Sequence, residues 1–178
     1  MIRKTMAFWL LFGVTTAVYA VMVAWTLPRI AAAAGGATPF DLRPGGYSFE
    51  EASAFLAALT PAGRSFYLDV QQSFDLVYPA LLSATLFFAI WLLVPPRWGA
   101  WRWILALIAV PPAVFDYLEN LAVANLLKLT PGAVTPEIVG VASQWTVLKS
   151  QSTTVVIIIV LALLILWAGA KLTRAQNT

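Results

Sequence analysis

The chain has 178 residues, of which 61% are apolar and only 11% are charged, and its net charge at pH 7 is +3. Soluble domains carry about 25% charged residues, so this composition indicates a membrane protein. The chain contains neither Cys nor His. Their absence excludes disulfides, His-ligated haem, zinc sites built from these residues, and Ser-His-Asp or Cys-His catalytic groups.

Four long apolar segments predict an all-α integral membrane four-helix bundle, with residues 1–178 as a single membrane domain. The first segment, Thr5 to Leu27, has 23 residues without a charge, and about 20 suffice to cross a bilayer core as a helix. Further spans are predicted at about 73–94, 103–127 and 150–170. A cleaved signal peptide is the alternative for the first segment, but the apolar stretch of such peptides is only about 7–15 residues long.

The predicted outer loop, residues 28–72, is the only substantial region outside the spans. Ser48 and Glu51 have the spacing of a capping box, which predicts a short amphipathic helix at about 48–59. Its apolar face predicts a helix that either lies on the bilayer surface or packs on its own protein. Thr60-Pro61 and Thr135-Pro136 predict the starts of two long helices that project from the outer face.

Basic residues near the span ends predict the orientation of the chain. Six of them lie on one side without any acid, and such flanks are typically cytoplasmic. Both termini are therefore predicted inside, in a multi-pass protein of the inner (plasma) membrane. The six residues are Arg3, Lys4, Arg97, Arg102, Lys171 and Arg174. The predicted partner is the lipid bilayer, and the basic charge gives no reason to expect nucleic acid.

Ionisable residues inside the apolar spans predict the functional site, because a charge in hydrocarbon is costly and usually marks one. Residues three and four apart share a helix face, which places polar neighbours beside the acids. The predicted ligand- or ion-binding residues are Asp75, Tyr78, Asp116, Glu119, Asn120 and Lys149. The first span is expected to contribute Thr15, Thr16 and Tyr19 at a similar depth.

Prolines inside the spans are expected to release backbone acceptors near this site. Pro79 deprives the Asp75 carbonyl of its amide partner, because proline has no N–H. Pro111 and Pro112 likewise each leave the backbone carbonyl four residues earlier without its amide partner, one to two turns from Asp116. The alternative is that these prolines only bend the helices.

The charges of the predicted site do not balance. Three carboxyl groups, on Asp75, Asp116 and Glu119, face the single ammonium of Lys149. At least one carboxyl group must therefore be protonated, solvated or bound to a cation. No cofactor is predicted and the metal is unknown, although oxygen donors suit a hard cation. The alternative is that the polar groups only hold the helices together through hydrogen bonds.

Short motifs carry a resemblance to a known group of proteins. The segments 75–79 (DLVYP) and 116–120 (DYLEN), with Tyr47-Ser48 and Gly63-Arg64 upstream, resemble those of small, uncharacterised bacterial membrane proteins with four spans. The resemblance implies the four-span topology and a bacterial origin, and it implies no activity.

Three functions are compatible with these features. The first is a transport or sensing protein that binds a proton, a cation or a polar ligand at the outward-facing acids. The second is a non-catalytic accessory subunit or assembly factor of a larger membrane complex, bound to other membrane subunits. The third is an intramembrane, lipid-directed enzyme that uses Asp and Glu as acid and base. It ranks last, because the sequence contains no nucleophile signature.

Overall fold

A computed structural model describes residues 2–176 of the chain. These residues form five helices and three separate 3-10 turns, and they contain no strand. Helix α1 comprises Ile2–Val21, a π-helical turn at Met22–Thr26 and Leu27–Ala33. The short helix α2 is Phe49–Ala58. Helix α3 comprises Pro61–Phe66, a π-helical turn at Tyr67–Gln71 and Gln72–Leu93. Helix α4 comprises Trp101–Ala106, a 3-10 turn at Leu107–Ala109 and Val110–Lys128. Helix α5 is Pro136–Gln176, without a break. The remaining 3-10 turns are Phe40–Leu42, Pro96–Trp98 and Pro131–Ala133.

The all-helical prediction is confirmed for residues 2–176, which contain no strand. Four of the helices are long and apolar enough to cross a membrane. Their apolar segments lie in α1, α3, α4 and α5, at Thr5–Ala33, Pro61–Leu93, Trp101–Lys128 and Pro136–Thr173. Residues 1, 177 and 178 of the predicted domain lie outside the described residues, as do the side chains of Arg3, Lys4 and Arg174.

Hydrogen-bonding side chains start the helices where the sequence predicted. The capping box of α2 is confirmed: the Glu51 amide donates to Ser48 Oγ at 3.2 Å, and the Ser48 amide donates to Glu51 Oε2 at 2.8 Å. At the start of α3, the Gly63 amide donates to Thr60 Oγ1 at 3.1 Å. These contacts satisfy amides that lack a partner within the helix.

Helix α3 is the centre of the bundle and contacts α1, α4 and α5, while α4 and α5 form an extensive antiparallel pair. One end of the bundle holds the start of α1, the end of α5 and the turn between α3 and α4, and we call it the inner end. The other end holds α2 and the turns around it, and we call it the outer end. A layer of polar side chains crosses the bundle between the two ends.

Two apolar cores lie on either side of this polar layer. The outer core is the larger and contains the apolar face of α2, with Ala52, Phe55 and Leu56 buried. Helix α2 therefore packs on its own protein, the second of the two arrangements predicted for it. The inner core joins the inner halves of α3, α4 and α5 around Ile90, Ala106 and Val156.

The contribution expected from the first span is wrong in depth for Thr15, although Tyr19 does reach the ring of Tyr78. Thr15 Oγ1 lies 2.8 Å from Thr85 Oγ1, and Thr85 follows Asp75 by ten residues, about 15 Å along the helix. Thr15 therefore connects α1 to α3 in the inner half of the bundle. Thr26, eleven residues later in α1, reaches the polar layer instead.

Candidate functional site

The centre of the polar layer is an ion-paired group on α4 and α5. Asp116 and Glu119 lie on one face of α4 because residues three apart in a helix are neighbours. The Lys149 ammonium of α5 pairs with Glu119 Oε2 and lies 3.8 Å from Asp116 Oδ1. The Glu119 side chain has no exposed surface, whereas 14% of Asp116 and 16% of Lys149 is exposed.

A second group of the layer connects α1 to α3 through two π-helical turns. Thr26 Oγ1 donates to Gln71 Oε1 at 2.5 Å, and Gln71 Nε2 donates to Asp75 Oδ1 at 2.8 Å. Thr26 and Gln71 are the last residues of their π-helical turns, and both are fully buried. π-helical turns are rare and occur often at functional sites.

Asn120 joins α4 to α3 at the backbone oxygen that a proline releases. Its Nδ2 donates to the Asp75 carbonyl at 3.1 Å, where Pro79 supplies no amide. The predicted release of this acceptor is thus confirmed, and an amide from the neighbouring helix takes the place of the helical donor. In return, Gln72 Nε2 donates to the Asn120 carbonyl at 3.0 Å.

Tyr78, the remaining residue of the predicted site, lies at the edge of the layer. Its ring stacks on Tyr19 of α1 with a centroid distance of 5.7 Å. The phenol interacts electrostatically with Asp116 and Lys149. The structure thus brings together the acids, Asn120 and Lys149, and it leaves Tyr78 at their margin.

Asp41, which the sequence analysis did not select, belongs to the same electrostatic group. The Tyr67 hydroxyl donates to Asp41 Oδ2. The carboxylate also interacts electrostatically with Asp75, Glu119 and Lys149. No periodic pattern marks Asp41 in the sequence, because it lies in a 3-10 turn of the outer loop.

Two buried polar groups of the layer have no ordinary hydrogen bond. Neither the Tyr47 hydroxyl nor Glu119 Oε1 has such a partner among the described residues. Thr146 lies close to both side chains, but its hydroxyl donates to the Ala142 carbonyl at 3.2 Å. Burial raises the pKa of the Tyr47 phenol well above its ordinary value, so this hydroxyl stays protonated at neutral pH. Unpaired groups of this kind often have an ordered water as partner.

The carboxylates of the layer outnumber its cations by a wider margin than the sequence indicated. Asp41 adds a fourth acid to the group around Lys149. Two outer arginines bond to carbonyl oxygens: Arg64 donates to Leu127 O at 2.6 Å, and Arg43 donates to Thr38 O at 2.7 Å. Nevertheless, no group of three acids in residues 2–176 has the geometry to hold a metal ion.

Two surface grooves lie apart from the acids. One, of about 280 Å³, is near the inner end between α1, α3 and α4, and it is lined mainly by Phe8, Trp91 and Trp103. The other, of about 420 Å³, lies between α4 and α5 near Leu121 and Val141. Neither groove is lined by an acid. The site itself is largely buried, with small exposed fractions on Asp116 and Lys149.

No family model, curated protein or solved structure matches the chain. The resemblance to small bacterial four-span proteins therefore stays a prediction.

Proposed function

We propose that the protein is a multi-pass membrane protein whose polar layer binds a proton from the non-cytoplasmic side, in a transport or sensing role. Membrane insertion is supported by the four apolar segments. In the apolar 18-residue stretch of each segment, only 6% to 28% of the residues are buried within the chain. Apolar surface exposed on this scale is typical of helices that contact lipid.

We further propose that both termini are cytoplasmic and that the membrane is the inner (plasma) membrane. Arg97 and Arg102 flank the turn at the inner end, where positive charge is typical of the cytoplasmic side. The Arg102 guanidinium lies 4.4 Å from the centre of the Trp91 ring. Lys171 lies 4.1 Å from the centre of the Trp167 ring, and such aromatic-basic pairs are common where helices meet the membrane interface.

The observation that carries the proposal is the imbalance of charge around Glu119. This side chain is fully buried, and Lys149 is its ion-pair partner. The same ammonium is also the closest cation to Asp116. Lys149 can neutralise only one carboxylate, and buried unpaired charge is costly, so the remaining acids favour uptake of a proton.

A proton is supported better than the other ligands that the sequence leaves open. A hard cation would need several converging oxygen ligands, and no group of three acids in residues 2–176 has that geometry. A larger polar ligand would need a cavity at the acids, and the two described grooves lie elsewhere. An enzyme that acts on lipids would also need a cavity at the acids, so this function has the least support.

Infrared difference spectroscopy of the protein in lipid vesicles tests the proposal, because protonated and ionised carboxyl groups absorb separately. We expect a protonated-carboxyl band that decreases as the pH is raised. Glu119→Gln and Asp75→Asn should each reduce this band. Asp69→Asn is the matched control, because Asp69 is an acid of the same helix as Asp75 but is exposed.

A parent protein without any carboxyl band that responds to pH would overturn the proposal. The polar layer would then be a fixed network of hydrogen bonds and ion pairs that only holds the helices together. A band that responds to pH but is equally strong in all three variants would place the titrating group elsewhere and would also overturn it.

An accessory role in a larger complex is the second candidate, and the groove between α4 and α5 supports it. Leu121 and Val141 at this groove are 69% and 52% exposed. Val141 lies only about two helical turns from Lys149 of the polar layer, on its outer side. Size measurement in mild detergent tests this role. A partner that co-purifies with the parent and is lost in Val141→Lys would support it, and a single species of this chain alone would contradict it.

A further inference from the structure

The outer loop directs one of its acids toward the polar layer. Phe40 is fully buried, with its ring centre 4.7 Å from that of Tyr47 and 4.8 Å from that of Phe55. The Arg43 guanidinium donates twice to the Thr38 carbonyl, at 2.7 and 3.0 Å. These contacts fix both sides of Asp41, so its position follows from the fold of the loop.

A second connection fixes the loop against helix α5. The Tyr47 amide donates to Ser143 Oγ at 2.8 Å. Gly46 adopts a φ of +81°, and a Cβ atom there would lie 2.5 Å from Ser143 Oγ. The loop therefore approaches α5 so closely that only glycine fits, at Ser143, six residues before Lys149.

The Asp41 carboxylate faces inward but remains connected to the surface. It accepts a hydrogen bond from Tyr67, whose ring is fully buried. Asp41 itself is half-buried, whereas Glu119 is completely enclosed. Among the acids of this group, Asp41 is the one that belongs to the extramembrane loop.

The charged and titratable groups around Asp41 come from the loop and from all three central helices. Those that interact with it electrostatically are Tyr47 of the loop, Tyr67 and Asp75 of α3, Asp116 and Glu119 of α4, and Lys149 of α5. Arg43 of the same loop is directed to the Thr38 carbonyl. The carboxylate thus faces several acids and a single ammonium.

Two buried polar groups that interact with Asp41 belong to Tyr47 and to Glu119. Tyr47 is 7% exposed and Glu119 is 0% exposed, yet the Tyr47 hydroxyl and Glu119 Oε1 have no ordinary hydrogen bond among the described residues. Tyr47 interacts electrostatically with both Glu119 and Asp41. An ordered water is the usual partner of such buried unpaired groups, and water can carry a proton between two acids.

We propose that Asp41 is the outer proton-exchange group of the polar layer, a role that rests on the proposed proton-binding function. Its carboxylate accepts a proton from a hydronium ion of the solvent, which becomes water, and Asp41 becomes a neutral carboxylic acid. The proton then leaves Asp41 and, carried by water, arrives at a carboxylate of the layer, while Asp41 returns to its ionised form. The Tyr67 hydroxyl positions the Asp41 carboxylate for both steps.

Time-resolved infrared spectroscopy after a pH jump tests this role in the full chain in lipid vesicles. We expect Asp41→Asn to slow the change of the carboxyl band by on the order of 100-fold, the usual contribution of a positioned proton-transfer group. The size of the band at equilibrium should be retained. Asp41→Glu should keep the rate near that of the parent, and so should Asp69→Asn, which removes an exposed outer acid.

Two further measurements distinguish a loss of proton exchange in Asp41→Asn from a loss of stability. Tyr67→Phe keeps Asp41 but removes its hydroxyl partner, and it should also slow the exchange. Added acetate should restore much of the rate to Asp41→Asn, because a small acid can replace the missing carboxyl group. A rate in Asp41→Asn equal to that of Asp69→Asn would overturn the role of Asp41 alone, whereas a parent without a pH-responsive band would overturn the proposed function.

Discussion

At the scale of single residues, Tyr47 links the alkaline stability of the protein to one buried hydroxyl. Burial raises the pKa of this phenol, so as the pH rises the unfolded chain loses the proton first. The free energy of unfolding contributed by Tyr47 is therefore constant below the unfolded pKa of about 10 and falls above it. Acid conditions leave this contribution unchanged.

We expect Tyr47→Phe to reduce the loss of stability between neutral and strongly alkaline pH. Melting temperatures followed by tryptophan fluorescence at both pH values measure this difference. Equal alkaline losses in the parent and in Tyr47→Phe would contradict the expectation.

The residue scale also separates what the sequence predicts from what it cannot. Asp116, Glu119 and Asn120 share a face of one regular helix, so counting along the chain placed them together correctly. Asp41 lies in a loop, where position follows from tertiary contacts such as the burial of Phe40. No spacing rule relates a loop residue to helices that follow it by dozens of residues.

At the scale of helices, the depth of α1 could not be derived from its apolar length. The predicted span ended at Leu27, but the helix continues to Ala33, a difference of six residues, or about 9 Å. The π-helical turn at Met22–Thr26 also adds a residue to one turn and rotates the helix faces on either side of it. Together these changes exchange Thr15 for Thr26 at the polar layer.

The contact between Pro79 and Asn120 predicts a coupling between α3 and α4. Asn120→Ala should destabilise the protein by about 1–3 kcal/mol, because it leaves the Asp75 carbonyl without a donor. Pro79→Ala supplies a helical amide to the same carbonyl, so Asn120→Ala should cost less in that background. Unfolding of the parent, both single variants and the double variant measures the coupling, and strictly additive costs would contradict it.

A second prediction at this scale concerns the crossing of α1 and α3 at the outer end. A Cβ atom on Gly63 would overlap the Cβ of Ala33, and the Thr60 amide donates to the Ala33 carbonyl at 3.0 Å in the same place. Gly63→Ala should therefore destabilise the protein by about 1–3 kcal/mol. A neutral effect on unfolding would show that the two helices separate without cost.

Gly140→Ala provides the matched control for this prediction. Gly140 also lies in a helix, but a Cβ atom there would have no atom within 4 Å. Because alanine favours the helix over glycine, this change should be neutral or stabilise the protein by up to about 1 kcal/mol. The sign of the two effects should therefore differ.

At the scale of the whole molecule, the orientation in the membrane can be tested without background labelling because the chain has no Cys. Ala57→Cys lies in α2 at the outer end and Ala100→Cys lies in the turn between α3 and α4, and both positions are exposed. A membrane-impermeant maleimide applied to intact cells should label Ala57→Cys and leave Ala100→Cys unlabelled until the cells are opened. The reverse pattern would contradict the cytoplasmic placement of both termini.

The general architecture was the part that the sequence predicted best. Apolar length alone identified four long helices, because a run of some 20 apolar residues has few other structures available to it. How the helices contact one another could not be derived in the same way, since lipid-facing and protein-facing surfaces are both apolar. The central place of α3 follows from contacts of residues such as Gln71 and Thr85, which composition alone does not distinguish.

The unbroken length of α5 has a mechanical consequence. The helix carries Lys149 in the polar layer and continues to Thr173 without a proline or a change of helical type. These two residues are separated by about 36 Å of helix. A rigid tilt of about 5° around Lys149 would displace the far end by about 3 Å over that length. The unbroken length of α5 would therefore enlarge a small movement at Lys149 into a larger displacement at the far end of the helix.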